Sequence, residues 1–312
     1  MKLLKDTISK IGSLDYKVME KVQKNLDNLT KPQGSLGRLE DLARHIAGII
    51  GKERPSLGRK VIFTMAADHG VTDEKVSAYP KEVTAQMVYN FLRGGAGINV
   101  LARQIGARVI VVDMGVAEDL TVSGFKDCKI NMGTKNFTKG PSMTREEAIK
   151  SIEIGIRLVE EECAQGMDIV GTGDMGIGNT TASSAITAVF TGKEVEDITG
   201  RGTGIDDEIF KHKVKIIKRA LLINKPNKKD ALDVLSKVGG YEIGGIAGVI
   251  LGAAKNRIPV IIDGFISGAG ALIAVALSEQ VKDFIIASHC SVEKGHKSAL
   301  SVMRLTPLLD LN

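Results

Sequence analysis

The sequence predicts an α/β fold with a mainly parallel sheet, on two observations. From residue 59 onward, short and nearly continuous apolar runs alternate with segments of helical periodicity. Each run then exits into a polar or glycine-rich turn. Runs without polar alternation fit strands buried on both faces, and their alternation with helices argues for a parallel sheet covered on both sides.

The first 50 residues read as helices, with apolar spacing over 14–29 and a second stripe at Leu39, Leu42, Ala43, Ile46 and Ile49. A Pro- and Gly-containing connector, 31–40, lies between them. The predicted strands follow at 60–67, 108–112, 167–170, 258–262 and 283–287, and the predicted helices at 82–92, 97–105, 145–165, 183–190, 207–223, 244–255 and 268–277. The strand exits read Asp68-His69-Gly70, Asp113-Met114-Gly115, the loop 171–178, Asp263-Gly264-Phe265 and Ser288-His289-Cys290-Ser291. In open α/β sheets ligands bind at the carboxyl ends of strands, so these five exits together predict a functional crevice.

Composition excludes several classes. Aromatics make up 4% with no Trp, which leaves little for base stacking on nucleic acid. The net charge of +5 comes from 42 basic and 37 acidic residues dispersed along the chain, so no nucleic-acid surface is expected. Three scattered cysteines, Cys128, Cys163 and Cys290, form no CxxC or zinc spacing, and the five histidines form no HExxH pattern. A reduced, cytoplasmic setting is expected. No signal-peptide core and no membrane-length apolar run is visible.

The stretch from Gly171 to Thr181 is the strongest candidate for the chemistry. Glycines Gly171, Gly173, Gly176 and Gly178 surround one carboxylate, Asp174, and Asn179-Thr180-Thr181 lead into a helix. Such a turn lets backbone N–H groups approach an anion at a helix N-terminus. It also fits a plain tight turn with Asn179 or Thr180 as N-cap. A second loop, Gly200-Arg201-Gly202-Thr203-Gly204, precedes a helix bearing Lys211, Lys213 and Lys215. Two glycine loops and one lysine suit a monophosphate, although most lysines at such spacing simply face solvent. Tyr79, Pro80 and Gln86 could form a flat wall, and His289, Glu293 and His296 a catalytic cluster. No GxxxxGK[ST] and no GxSxG occurs, and the glycine loop makes a poor dinucleotide fingerprint.

In combination these motifs resemble the nicotinate-nucleotide–dimethylbenzimidazole phosphoribosyltransferase family of cobalamin nucleotide-loop assembly. The resemblance rests on LTKPQGSLGRLE (29–40), AADHGVTDEKVSAYPKEVTAQM (66–87), GGAGINVLARQIGA (94–107) and GTGDMGIGNTTASSAI (171–186). It continues through GRGTGIDDE (200–208), DVLSKVGGYEIGGIAGVILGAA (233–254), PVIIDGFISGAGALIA (259–274) and SHCSVEKGHKSAL (288–300). It implies a three-layer Rossmann-like core, 59–292, with a smaller helical lobe from 1–58 and 293–312, and a homodimer. The implied reaction moves phosphoribose from nicotinate mononucleotide to a benzimidazole nitrogen, with no metal or redox cofactor. Gly176, Gly178, Asn179, Thr180, Gly202, Thr203, Lys213 and Ser291 are implied to hold phosphate and ribose. Tyr79, Pro80, Gln86 and Met87 are implied to flank the base, with Asp174 positioning the reactants.

Two departures from the family pattern shape the expectation. The family's general base is a glutamate in an RLGEG-type motif near the C-terminus, and no RLGEG occurs in these 312 residues. The resemblance therefore implies a C-terminally shortened form that binds substrates and turns them over poorly. Many members also carry Glu at the position of Asp174, one methylene longer. Two rival readings stay open: a binding protein for the same ligands, and transfer to another acceptor such as a different benzimidazole, adenine or a phenol.

Overall fold

A computed structural model describes residues 1–202 and 204–310. Three helices lead: α1 (Lys2–Ser9), α2 (Tyr16–Asp27) and α3 (Arg38–Ile50). Then come β1 (Lys60–Ala67), α4 (Val83–Leu92), α5 (Gly97–Ile105), β2 (Ala107–Gly115), β3 (Lys126–Asp127), α6 (Arg145–Ala164) and β4 (Ile169–Met175). The helices α7 (Asn179–Thr191), α8 (Val195–Ile198), α9 (Asp207–Asn224), α10 (Ala231–Val238) and α11 (Tyr241–Lys255) precede β5 (Val260–Ile262). The chain continues with α12 (Phe265–Leu277), β6 (Ile285–Ala287), β7 (His289–Cys290), α13 (Lys294–Met303) and β8 (Leu309–Asp310).

Local chemistry explains where the helices start. Asp15, Asp206 and Asp230 each accept a backbone N–H in the first turn of α2, α9 and α10. Thr144 and Glu147 exchange hydrogen bonds as a capping box at the head of α6.

The main sheet is fully parallel in the order β3-β2-β1-β4-β5-β6. From β1 the chain builds outward to β2 and β3, then crosses back through α6 to lay β4 on the other side of β1. The strand order reverses between β1 and β4, and the crevice at their carboxyl ends is where such sheets bind ligands. In register, Met65 pairs with Asp174 and Ala66 with Met175.

One face of the sheet carries α6, α11 and α12. Phe63 and Met65 point into that layer and are fully buried. Residues 241–254 of α11 are buried without exception, so its apolar pattern has no polar face. Its backbone touches α6: a Cβ on Gly248 would lie 2.0 Å from the Ile152 carbonyl oxygen, and one on Gly155 would lie 2.1 Å from that of Gly245. The other face carries α4 and α5, which cover β1 and β2 and bury Ala66, Val88, Phe91 and Val111. Ile62, Ile169 and Ile261 on that face remain half-buried and line a cavity.

The predicted elements recur, with shifted ends. The largest shift concerns β4, expected to stop at Val170 but running to Met175. Glycine is a weak strand former, yet pairing with β1 along residues 169–175 holds Gly171 and Gly173 in the ladder. Asp174 therefore sits on the end of a central strand, not in a loop. The two-residue β3, β7 and β8 and the short α8 and α10 were not foreseen. At the chain ends, the Arg38 guanidinium donates to the carbonyls of Pro307 at 2.7 Å and Leu308 at 3.0 Å. The helix α13 packs instead against α7, α8 and α12. No helix among the described residues is long and apolar enough to cross a membrane.

Candidate active site

The end of β4 and the start of α7 form one wall of a cavity of about 230 Å³. Gly176, Gly178, Asn179 and Thr180 line it from this side, and Arg201, Gly202 and Lys213 from the other. Gly178 has φ 93°, a left-handed conformation that a side chain would strain, and it turns the chain from strand into helix. No side chain caps α7. The Asn179 and Thr181 N–H groups donate to the carbonyls of Gly176 and Gly178, so this end of α7 offers an anion the helix dipole rather than a full set of free donors.

Lys213 comes from α9 and is 1% exposed. Its ammonium donates to Thr180 Oγ1 at 2.8 Å, which ties the two glycine loops together. Burial lowers its pKa to about 8, against the opposing charge of Glu293. A buried cation with one neutral partner has donor capacity left for an anion.

Glu293, just before α13, accepts the Gly202 N–H at 2.8 Å. Its backbone N–H donates to Ser291 Oγ at 3.1 Å, and the Ser291 N–H donates to His296 Nδ1 at 3.0 Å. That bond requires Nδ1 of His296 to be an acceptor. The ring is buried, and desolvation, aided by His289, lowers its pKa to about 4. His296 is thus a neutral anchor for the 291–293 turn. Ser291 acts within that turn and does not line the cavity. The expected cluster of His289, Glu293 and His296 exists in space, with the two rings 6.0 Å apart, but only Glu293 reaches the glycine loops.

A second cavity, of about 580 Å³, lies on the half-covered face of the sheet. Ile62, Thr64, Met87, Phe91 and Ile98 line it, and Asp263 and Ser288 stand at the ends of β5 and β6. Asp174 lines both cavities. The Asn179 side-chain amide donates to its Oδ2 at 2.8 Å. Burial, with the charges of Asp263 and Glu242, raises the Asp174 carboxyl to about 7 against the lowering effects of Asn179 and His69. A carboxylate poised near neutrality at the junction of an apolar and a polar cavity can hold or release a proton at physiological pH.

The structure brings together Asp174, Gly176, Gly178, Asn179, Thr180, Gly202 and Lys213. Met87 lines the apolar cavity, whereas Tyr79, Pro80 and Gln86 are exposed beyond it. Thr203 lies outside the described residues. Sequence reasoning missed Ser77, which lines the polar cavity, and the contact of Glu293 with Gly202. It noted Asp263 and His69 only as residues of strand exits.

A doubly covered parallel sheet, with an uncapped helix N-terminus and a buried lysine at its switch point, defines an α/β protein built to bind an anionic, nucleotide-like ligand. Comparison with known proteins narrows this class. A family model described as Phosphoribosyltransferase matches residues 11–312. The nicotinate-nucleotide–dimethylbenzimidazole phosphoribosyltransferase of Desulforudis audaxviator is 55% identical over all of this chain and 88% of its own length. The enzyme of the same name from Roseiflexus castenholzii is 57% identical, again over 100% of this chain and 88% of its own. A crystal structure of the Thermus thermophilus protein superposes with a TM-score of 0.90 at 41% identity, covering 96% of this chain and 89% of that one. The chain belongs to this phosphoribosyltransferase family.

Proposed function

We propose that the chain transfers phosphoribose from nicotinate mononucleotide to 5,6-dimethylbenzimidazole, giving α-ribazole 5′-phosphate and nicotinate in cobalamin biosynthesis. The observation that carries this reading is the position of Asp174, on the wall shared by the polar and the apolar cavity. The 5′-phosphate fits the polar side, where the head of α7, the Gly202 region and the Lys213 ammonium converge. The flat apolar base fits the other side, against Met87 and Phe91.

Asp174 then stands where the two substrates meet. Its carboxylate accepts a hydrogen bond from the benzimidazole N–H and orients the ring. Near pH 7 it also has the proton affinity to take that proton itself, a role beyond the positioning one that the resemblance implies, which makes the second ring nitrogen a better nucleophile toward the anomeric carbon. Attack opposite the departing nicotinate inverts that carbon. Holding both substrates in line supplies at best about 7–11 kcal/mol of the acceleration. Tyr79 and Pro80 before α4 and Gln86 on it, all exposed, serve in this reading as an outer wall that meets the base on binding.

The experiment is to incubate the protein with nicotinate mononucleotide, with and without dimethylbenzimidazole, and to follow nicotinate and ribazole phosphate. Release of nicotinate only when the base is present is expected. Tight binding of both ligands without release would instead make this a binding protein.

We also propose that the protein is a cytoplasmic homodimer. The cysteines Cys128, Cys163 and Cys290 are unpaired, which suits a reducing compartment. Val100, Leu101 and Ile105 on α5 are exposed apolar side chains through which copies could pair. A single monomeric species in sedimentation at micromolar concentration would rule out the dimer.

A further inference from the structure

A buried charged pair lies directly under the glycine turn. His69, which follows β1, places Nε2 2.5 Å from Oε1 of Glu242 in the first turn of α11, and both side chains are inaccessible. The imidazole is packed against the turn itself. A Cβ on Gly176 would lie 3.4 Å from its Cδ2 and Nε2, and a Cβ on Gly178 would lie 3.3 Å from its Cβ. From below, a Cβ on Gly240 would reach its Cε1 at 2.4 Å, so no residue larger than glycine fits there without movement.

Energetics make the pair conspicuous. Among the described residues, Nδ1 of His69, Oε2 of Glu242 and Oδ1 of the adjacent Asp68 are buried without a hydrogen-bond partner. Desolvating two charges costs several kcal/mol per ion, and apolar side chains of similar volume would commonly serve packing as well or better. Packing alone therefore does not account for an ionisable pair at this spot. Its neighbours suggest what does. Asp174 lies two residues before Gly176, and its carboxyl feels the charges of Asp263 beyond β5, Glu242 on α11 and His69 beyond β1. His69 in turn feels the charges of Glu242, Asp68 and Asp174. Burial by itself lowers the His69 pKa, but these carboxylates, Glu242 foremost, outweigh it and raise the value.

We propose that His69 and Glu242 are a positioning pair for Asp174: the imidazole supports the Gly176–Gly178 turn and offsets the Glu242 charge that would otherwise hold Asp174 protonated. Glu242 holds the imidazole in place and in its charged form. Neither residue touches substrate. The inference rests on the reading of Asp174 as the carboxylate between the two substrates.

The test is steady-state kinetics from about pH 5.5 to 9 on the wild-type protein, His69→Gln, Glu242→Gln and the double variant, with dimethylbenzimidazole saturating. His69→Gln leaves Glu242 without its cation and Asp174 beside an unbalanced carboxylate. Its kcat at pH 7 is expected to fall at least about tenfold and its acidic limb to move up by about one pH unit, with KM for nicotinate mononucleotide changed less than about threefold. The double variant removes the stranded charge and is expected to bring the limb at least halfway back. A limb that stays where the wild type has it in His69→Gln, or a double variant no better than the single one, overturns the proposal and leaves packing as the role. If His69→Gln does not fold, nitrogen NMR of the wild-type histidines decides: an imidazolium at His69 through pH 7 is expected, and a neutral ring there overturns the proposal. Wild-type turnover in the same series tests the transfer reading separately.

Discussion

Glu293 holds the Gly202 N–H at 2.8 Å, so an acidic side chain already occupies one donor of the anion cradle. Phosphate binding has to displace it or share that donor, against charge repulsion. Glu293→Gln keeps an acceptor oxygen and removes the charge. KM for nicotinate mononucleotide is expected to fall about three- to tenfold at low ionic strength, with the gain shrinking in salt. A KM that rises instead would make Glu293 a ligand-organising residue.

Lys213 binds only Thr180 among the described residues, and burial lowers its pKa to about 8. In the free protein it is charged below that value, so affinity for nicotinate mononucleotide should weaken as pH rises through about 8. Lys213→Met should raise KM about ten- to a hundredfold and flatten that dependence. The sign for stability is opposite. A lysine whose pKa is depressed in the fold stabilises least where it is charged, as pH falls from 10.5 through about 8. Lys213→Met should therefore melt a few degrees higher than wild type at pH 7.

Asp174 presents the same trade in a carboxylate. Its pKa is raised from 3.8 to about 7, so the contribution to stability is complete below pH 3.8 and lost as pH rises through about 7. Asp174→Asn keeps an oxygen to accept the Asn179 amide and never ionises. At pH 8 it should be more stable by on the order of 2–4 kcal/mol, and at pH 4 nearly equal, as read by denaturant melts. Its kcat should drop at least about a hundredfold, and the wild-type acidic limb near pH 7 should disappear.

The contact of α6 with α11 tests the fold apart from the site. A methyl on Gly248 would meet the Ile152 carbonyl at 2.0 Å, a backbone atom with no room to yield. Gly248→Ala is expected to destabilise by about 3 kcal/mol through overpacking, while KM for nicotinate mononucleotide in the folded fraction stays near wild type. A neutral substitution would mean that the two helices can separate easily.

Much of this was legible in the chain. The apolar runs at 60–67 and 108–112 lie in β1 and β2, and Gly176 and Gly178 mark the turn that follows Asp174. Helix starts at Arg145 and Asp207 follow from Thr144 and Asp206. The end of β4 was misjudged because Gly171 and Gly173 look like loop residues. Only ladder pairing with β1 makes them strand. The two-residue β3 and the eight-residue α10 are too short for a periodic signal.

What the sequence determined by itself is local: which segments form strands and helices, which turn can approach an anion, and, through eight motifs in order, the family. What the tertiary structure decided is which of those ends meet. Glu293 reaches Gly202 across 91 residues, and His69 reaches Glu242 across 173. Parallel strands cannot be joined by tight turns, so their neighbours are distant in the chain and are chosen by the packing of helices on the two faces. Periodicity along the sequence carries no record of that choice. Burial does the rest, since desolvation sets the charge states of Lys213 and Asp174, and a side chain is desolvated only when the fold closes around it.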